Sequence, residues 1–320
     1  MTIGNRACGT ISKLQKIKAK YTKSKKMNHP LVSIGLPVYN GEKYLEEALD
    51  SLLSQTFKDF ELIISDNAST DKTGDICQCY LEKDDRVRYY RSETNLGMHR
   101  NWNYVFELSS GKYFKWAAHD DLYAPQFVEK CVDILDRDAS VVLCSTRTKI
   151  VNENGQFLKN YDVFVTADLL KPHERFYNML AVDHWCFQIF GVIRSDVLKE
   201  TPLHGYYFGS DRNLLAELCL HGRVYEVPEY LFLRRDHPAA STSLETLHHW
   251  EKLVSYNPTK SSQTKFLGIR RTYEYAVSIS RAPLITSERF LCYLALLRLI
   301  FKKSWNRLMK MRKVFFGQKE

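Results

Sequence analysis

Between residues 31 and 146, five apolar runs of strand length alternate with four segments whose apolar residues recur at helical spacing. Few folds accommodate that punctuation. It predicts a mostly parallel sheet with helices on both faces. The strands are expected over 31–36, ended by Pro37, and over 60–65, 86–91, 113–118 and 141–146. The helices are expected over 42–54, from a Thr70 or Asp71 cap to about Lys83, from Met98 through Phe106, and over 126–136.

After Thr146 the alternation breaks. A hairpin is expected over 149–161 about Asn154-Gly155. Helices are expected over 168–182 and 211–221, and strands over 187–194 and 223–233, the last interrupted at Pro228. The segment 1–29 is basic, poor in large apolar side chains and expected to be a flexible arm. Residues 30–240 read as one α/β domain, with a nucleotide-type platform over 30–146 and a second half over 147–240 that closes it. Residues 241–320 read as a helical extension with helices near 242–256, 262–280 and from Ser287 to about Phe316.

The formal net charge is +9, and its positive excess lies at the ends: 6–26 and 298–319 carry lysine and arginine and no acid. Such ends suit an anionic surface. Nucleic acid is disfavoured, since the basic residues do not line a groove. The last helix carries apolar residues on one face and Arg298, Lys302 and Lys303 mainly on the other, the pattern of a helix lying in a membrane interface. No run of about 20 apolar residues spans a bilayer, and no signal peptide is visible. The eight scattered cysteines show no metal-ligand spacing and read as reduced thiols. The expected location is cytoplasmic, peripheral on the inner face of the membrane.

The chemistry concentrates in loops at the carboxyl ends of the first strands, where open α/β sheets bind ligands. Asp120 and Asp121 follow the fourth strand. Two adjacent carboxylates repel unless a cation or water screens them, and Mg²⁺ or Mn²⁺ bridging to a phosphate is the simplest such cation. A solvated turn or a helix cap accommodates the pair as well. Neither GxGxxG nor GxxxxGK[ST] occurs, which removes the dinucleotide fingerprint and the P-loop.

Taken in order, strand-PVYN, SDNASTD, the NLG loop and the strand-HDD loop resemble family 2 glycosyltransferases of the GT-A fold, over about 31–240. The resemblance implies a nucleoside site from Pro37, Tyr39, Asn40, Glu42 and Asp66, with Asn95 and Arg100 near the diphosphate. It implies metal ligation by Asp120 and Asp121, with Asp120 also contacting the donor. Arg234, Arg235, His237 and Ser241 resemble the late loop that folds over the diphosphate, His237 adding a metal or phosphate contact. Asp211, opening a helix after GYYFGS, resembles the acidic catalytic position and would act as general base. Trp185 and His184 would line the acceptor pocket.

The chain departs from the pattern where many members carry further acids: Ala118 and His119 stand before the Asp pair, and Ser210 before Asp211. The expected function is therefore an inverting transfer of sugar from a nucleotide-diphosphate donor, UDP-sugar favoured, to a glycan or lipid-linked acceptor, assisted by Mn²⁺ or Mg²⁺. The alternatives are a non-catalytic nucleotide-sugar scaffold and a nucleotidyltransferase. The latter would want a basic Gly-rich loop that PVYN lacks.

Overall fold

Strands covered by helices on both sides must be apolar on both faces, and β1 (Val32–Val38) and β2 (Phe60–Asp66) are buried along their whole length. The computed structural model describes residues 29–238, 240 and 267–316. Within it β1 pairs in parallel with β2 on one side and β4 (Tyr113–Trp116) on the other, and β2 pairs in parallel with β3 (Val87–Arg91). The intervening helices are α1 (Leu45–Leu53), α2 (Thr73–Lys83) and α3 (Met98–Glu107), and α4 (Phe127–Arg137) follows β4.

Side-chain alternation along β1 assigns the faces. Val32, Ile34, Leu36 and Val38 share a core with apolar residues of α1, α2 and α4. Gly35 lies on the α3 side, where an added Cβ would sit 2.7 Å from Val105 and 2.8 Å from Phe114. Only glycine lets α3 approach that closely. The strand was expected to stop at Pro37, yet it continues through it. The Gly35 carbonyl accepts from Ala117 on the β4 side and the Val38 carbonyl from Asn67 on the β2 side. Alternation turns the Pro37 nitrogen toward β4, beyond the last β4 pairing at Trp116. No ladder bond needs the missing N–H there.

The second half adds β5 (Leu122–Tyr123), β6 (Val141–Val151), β7 (Phe157–Tyr161), α5 (Pro172–Ala181), β8 (Val192–Arg194), α6 (Ser195–Lys199), α7 (Ser210–His221) and β9 (Arg223–Arg235). The strand order is β3-β2-β1-β4-β8-β6-β9-β5, with β7 also on β6. Pairing is parallel among β1 to β4 and between β6 and β9, and antiparallel at β4–β8, β6–β8, β6–β7 and β5–β9. The expected hairpin is present. Its turn is closed by the Asn152 carboxamide oxygen, which accepts from the backbone of Asn154 and Gln156.

Two expectations change. The strand expected over 187–194 is a 3-10 turn at Phe187–Phe190 followed by β8, after a left-handed Cys186 with φ of 59°. The interruption at Pro228 is a bulge: Val227 pairs with Thr146 and Tyr230 with Arg147, so Pro228 and Glu229 oppose no residue.

On the far face, α5, α7, α8 (Leu267–Arg281) and α9 (Thr286–Phe316) share a second core with α3 and the outer sides of β4 and β6. Glu217 of α7 is fully buried and holds α8 through Ser278 (2.8 Å) and both carboxylate oxygens on Arg281 (2.7 and 3.0 Å). Residues 1–28 of the N-terminal arm with Cys8, Ser241 and the helix expected over 242–256 lie outside the described residues. No described helix is long and apolar enough to cross a membrane, and the seven described cysteines are free.

Candidate active site

The chain runs from β1 outward to β2 and β3, then returns so that β4 lies on the other side of β1. In sheets of this kind such a reversal marks the crevice, here at the carboxyl ends of β1 and β4, where ligands are taken. The loops there are joined by side-chain hydrogen bonds. Asn40, left-handed at φ of 51°, donates its N–H to Ser69 Oγ (2.9 Å) and accepts from the Thr70 N–H at Oδ1 (2.8 Å). Gly41 donates to Thr73 Oγ1 (2.8 Å), and Glu42 accepts from the Lys72 N–H (2.9 Å) while donating its own to Asp71 (3.1 Å). Asp71 also accepts from the Thr73 N–H (3.0 Å), but the residue that caps α2 is Lys72, one place later than the expected Thr70 or Asp71, and no side chain caps the helix.

Asp66 is fully buried at the end of β2. Its Oδ1 accepts from the Ser69 N–H (2.8 Å), and its Oδ2 from the Tyr89 hydroxyl (2.9 Å) and Arg91 (3.1 Å). Three protein donors thus use the carboxylate to hold the SDNASTD loop in shape. Asn67 extends the scaffold: its Nδ2 donates to Asn95 (2.9 Å) and its Oδ1 accepts from the Leu96 N–H (2.7 Å). Tyr39 projects from this framework with 37% exposure. Arg100 does not join it. Its guanidinium forms two 2.9 Å bonds with Glu107 along α3, away from the strand ends.

Asp120 and Asp121 point in different directions. Asp120 Oδ2 lies 3.0 Å from His237 Nε2, and its side chain keeps 18% exposure. Burial pushes the Asp120 carboxyl up, but the His119 and His237 charges and hydrogen bonding outweigh it and hold it low. Asp121 is 5% exposed and accepts the Arg235 backbone N–H at 2.9 Å. Burial first, and then the Asp120 charge, push its carboxyl up. The two acids therefore do not present one four-oxygen face. Asp120 opens to the crevice, and Asp121 fastens the start of β5 to the end of β9.

Arg235 is fully buried. It donates to the Asp120 carbonyl (3.0 Å), the Glu153 carbonyl and Glu47 (2.7 Å), and its guanidinium lies 4.7 Å from the Tyr44 ring centroid. It is a clasp that fixes the Asp120 backbone, not the open phosphate ligand the sequence suggested. Arg234 pairs with Asp236 (2.7 Å) and lies over Trp185 (5.4 Å). His184 is buried, its ring between the Met179 carbonyl (3.0 Å) and the Cys186 N–H (3.0 Å).

The structure also brings in residues to which the sequence assigned no role at the site. Tyr44 packs its ring 4.7 Å from that of His237. His119 lies against Gly41, where an added Cβ would meet the imidazole at 2.7 Å, so the Asp120 loop and the Asn40 loop touch. Glu47 meets Arg235 across 188 residues of chain. Only tertiary contact reveals pairs so distant in sequence.

Asp211 sits in the first turn of α7 behind Gly209, whose φ of 83° suits a residue without a Cβ. Its Oδ1 accepts from the Arg212 N–H (2.8 Å). The loop before it is anchored to α3 by Asn103, which donates to the His204 carbonyl and accepts its N–H (both 3.0 Å). His99, at the start of α3, is within reach of the Asp211 charge, although burial keeps its pKa below the usual value. Tyr206 and Phe208 of this loop are about half exposed.

A hard divalent ion needs few protein ligands when a diphosphate supplies the others. The adjacent Asp120 carboxylate and His237 imidazole fit that need. No cluster of three acidic, histidine or cysteine side chains suited to a metal occurs among the described residues.

Residues 33–200 match the family described as Glycosyl transferase family 2. An uncharacterized glycosyltransferase of Rickettsia typhi is 30% identical over 262 residues, covering 78% of this chain and 79% of the relative. Another, of Rickettsia bellii, is 39% identical over 145 residues, covering 44% of this chain but only 21% of that longer relative. Among solved structures, S. aureus TarS 1-349 in complex with UDP superposes with a TM-score of 0.58 at 18% identity, covering 83% of this chain and 70% of that one. Mannosyltransferase PcManGT from Pyrobaculum calidifontis, in complex with GDP-Man and Mn²⁺, gives 0.52 at 14% identity, covering 87% and 88%. At such identities the likeness is one of fold.

Proposed function

The chain belongs to glycosyl transferase family 2 and has the GT-A fold, and from that premise we propose that it is an inverting, divalent-metal-dependent sugar transferase using a nucleotide-diphosphate sugar. The observation that carries this reading is the meeting of Asp120 and His237 at 3.0 Å, from positions 117 residues apart, on the loop that leaves β4. In this reading Asp120 and His237 would hold Mn²⁺ or Mg²⁺. A bound ion of this kind neutralises charge on the leaving diphosphate. The donor set supports it, and a structural neighbour described with GDP-Man and Mn²⁺ is consistent with it.

The remaining roles follow from the residues. Tyr39, with the Asn40–Glu42 turn and the loop shaped by Asp66, receives the nucleoside, and the Tyr39 ring covers the base. Asn95 and the Asn67 carboxamide set the height of the loop beside it. Asp211 accepts the proton of an acceptor hydroxyl as that oxygen bonds to the anomeric carbon. The bond from that carbon to the diphosphate oxygen breaks, and its electron pair leaves with the nucleoside diphosphate. One displacement with base and leaving group on opposite sides inverts the anomeric centre. The acceptor in this reading is a glycan or a lipid-linked saccharide. Tyr206 and Phe208, exposed beside Asp211, offer faces on which a sugar ring can stack.

A panel of UDP- and GDP-sugars tests the proposal. Release of nucleoside diphosphate from at least one donor is expected with Mn²⁺ or Mg²⁺, and not after chelation. Product anomers of opposite configuration to the donor are expected by NMR. Absence of turnover with every donor, while nucleotide still binds, would leave a scaffold.

A further inference from the structure

The inner side of α9 is buried, with Cys292 at 0%, Leu296 at 6% and Leu299 at 4% exposure. Its outer side is not. Phe290, Leu294, Leu297, Phe301 and Trp305 recur four, three, four and four residues apart, so they form one ridge along the helix. Their exposures are 62, 45, 49, 73 and 63%. The ridge is about 22 Å long at 1.5 Å per residue, and none of the protein's described residues covers it. An exposed apolar ridge of that length marks a contact surface.

Charge decides what it contacts. From Arg289 to Lys319 the sequence holds lysine and arginine and not one acid. Lys302 follows Phe301 directly and flanks the apolar ridge, and Arg298 after Leu297 is exposed at its edge, its guanidinium 5.0 Å from the Tyr177 ring centroid of α5. A second copy laid ridge to ridge would bring these like charges together with no acid between them, which disfavours self-association. Helix α9 is also not apolar enough to cross a bilayer. We infer that this outer face of α9 lies in the plane of an anionic lipid surface, with the aromatic ridge in the headgroup boundary and the basic side chains on lipid phosphates.

The seat is mechanically joined to the acceptor side of the domain. Arg270 of α8 lies 4.6 Å from the Tyr207 ring centroid, and the side chain of Arg271 packs at 3.2 Å from where a Gly209 Cβ would be. The loop that ends at Asp211 therefore rests on the helix preceding α9. The lipid contact itself does not depend on the transferase reading, because vesicle binding requires no donor.

The test is co-sedimentation of the full chain with vesicles of phosphatidylcholine alone, or of phosphatidylcholine mixed with phosphatidylglycerol. Binding to the anionic vesicles is expected to be at least about tenfold tighter than to the neutral ones and to weaken with salt. Phe301→Glu combined with Trp305→Glu is expected to reduce it about tenfold or more, with far-UV circular dichroism and melting temperature unchanged because both side chains are exposed. Lys302→Gln is expected to weaken anionic binding alone. Equal binding to both vesicles, or to neither, overturns the inference. So does a stable oligomer of the wild-type chain that the double glutamate variant takes apart while its vesicle binding is unchanged, since a second copy would then occupy the ridge.

Discussion

Asp120 has a partly open carboxylate with one imidazole partner, and its neighbour Asp121 is closed over by the Arg235 backbone. Their adjacency in sequence gave no sign of this difference, because which carboxylate faces the crevice is set by β9 pairing with β5. Asp211 invites a separate test. If its carboxylate takes the acceptor proton, Asp211→Asn is expected to lower kcat about 10²- to 10⁴-fold and leave donor affinity unchanged. A loss of affinity with kcat preserved would give Asp211 a binding role. Glu61 tests the supports of the sheet. It is buried, accepts from the Ser33 hydroxyl (2.6 Å) and the Ser110 N–H (3.1 Å), and pairs with Arg88. Burial alone would push its carboxyl up, but these partners outweigh it and hold the pKa below the ordinary 4.5. The stability it adds is therefore complete above that pH and is lost as pH falls through the folded-state value. Glu61→Gln is expected to cost about 3 kcal/mol at pH 7, measured by urea unfolding, and the difference from wild type is expected to shrink as pH falls below 4.5.

Elements with local causes were legible in the sequence. Helices α1 to α4 and strands β1 to β4 and β6 follow from apolar periodicity, and the loops carrying Asn40, Asp66 and Asn95 follow from turn and cap residues. Elements with distant causes were not. β5 is two residues long and exists because Leu122 and Tyr123 pair with Leu233 and Phe232. The 3-10 turn at Phe187–Phe190 replaces an expected strand in a segment whose apolar run fits either conformation. The Arg235 clasp joins α1, the β6–β7 turn and the Asp120 loop, three pieces with no common sequence signal. Because it is fully buried and its donors fit one geometry, Arg235→Lys is expected to destabilise the protein by about 3 kcal/mol in thermal or urea unfolding. It is also expected to weaken metal-dependent donor binding, since the Asp120 backbone loses its anchor. Full stability and unchanged donor binding in this variant would mean that the clasp is dispensable.

At the scale of the whole molecule, one sheet sets the two proposed roles on different sides. Its strand ends at β1 and β4 gather the loops of Asn40, Asp66 and Asp120. Its far face carries α7 with Asp211 and, through Glu217 and α8, the outward ridge of α9. The expected basic amphipathic character of α9 is visible in the sequence, whereas the side facing away from the domain is known only once Leu296 and Leu299 are seen buried. This arrangement suits an enzyme that takes a soluble donor on one side and an acceptor presented near a surface on another. The proposed function requires that the crevice bind a nucleoside diphosphate through a divalent ion held by Asp120 and His237. Titration calorimetry with UDP and with GDP, in Mn²⁺ and in chelator, tests it most directly. At least one nucleotide is expected to bind at least about tenfold more tightly with Mn²⁺, and Asp120→Asn is expected to remove this gain while the metal-free affinity stays the same. Equal affinity with and without the ion, or an Asp120→Asn variant that keeps the full gain, would contradict it.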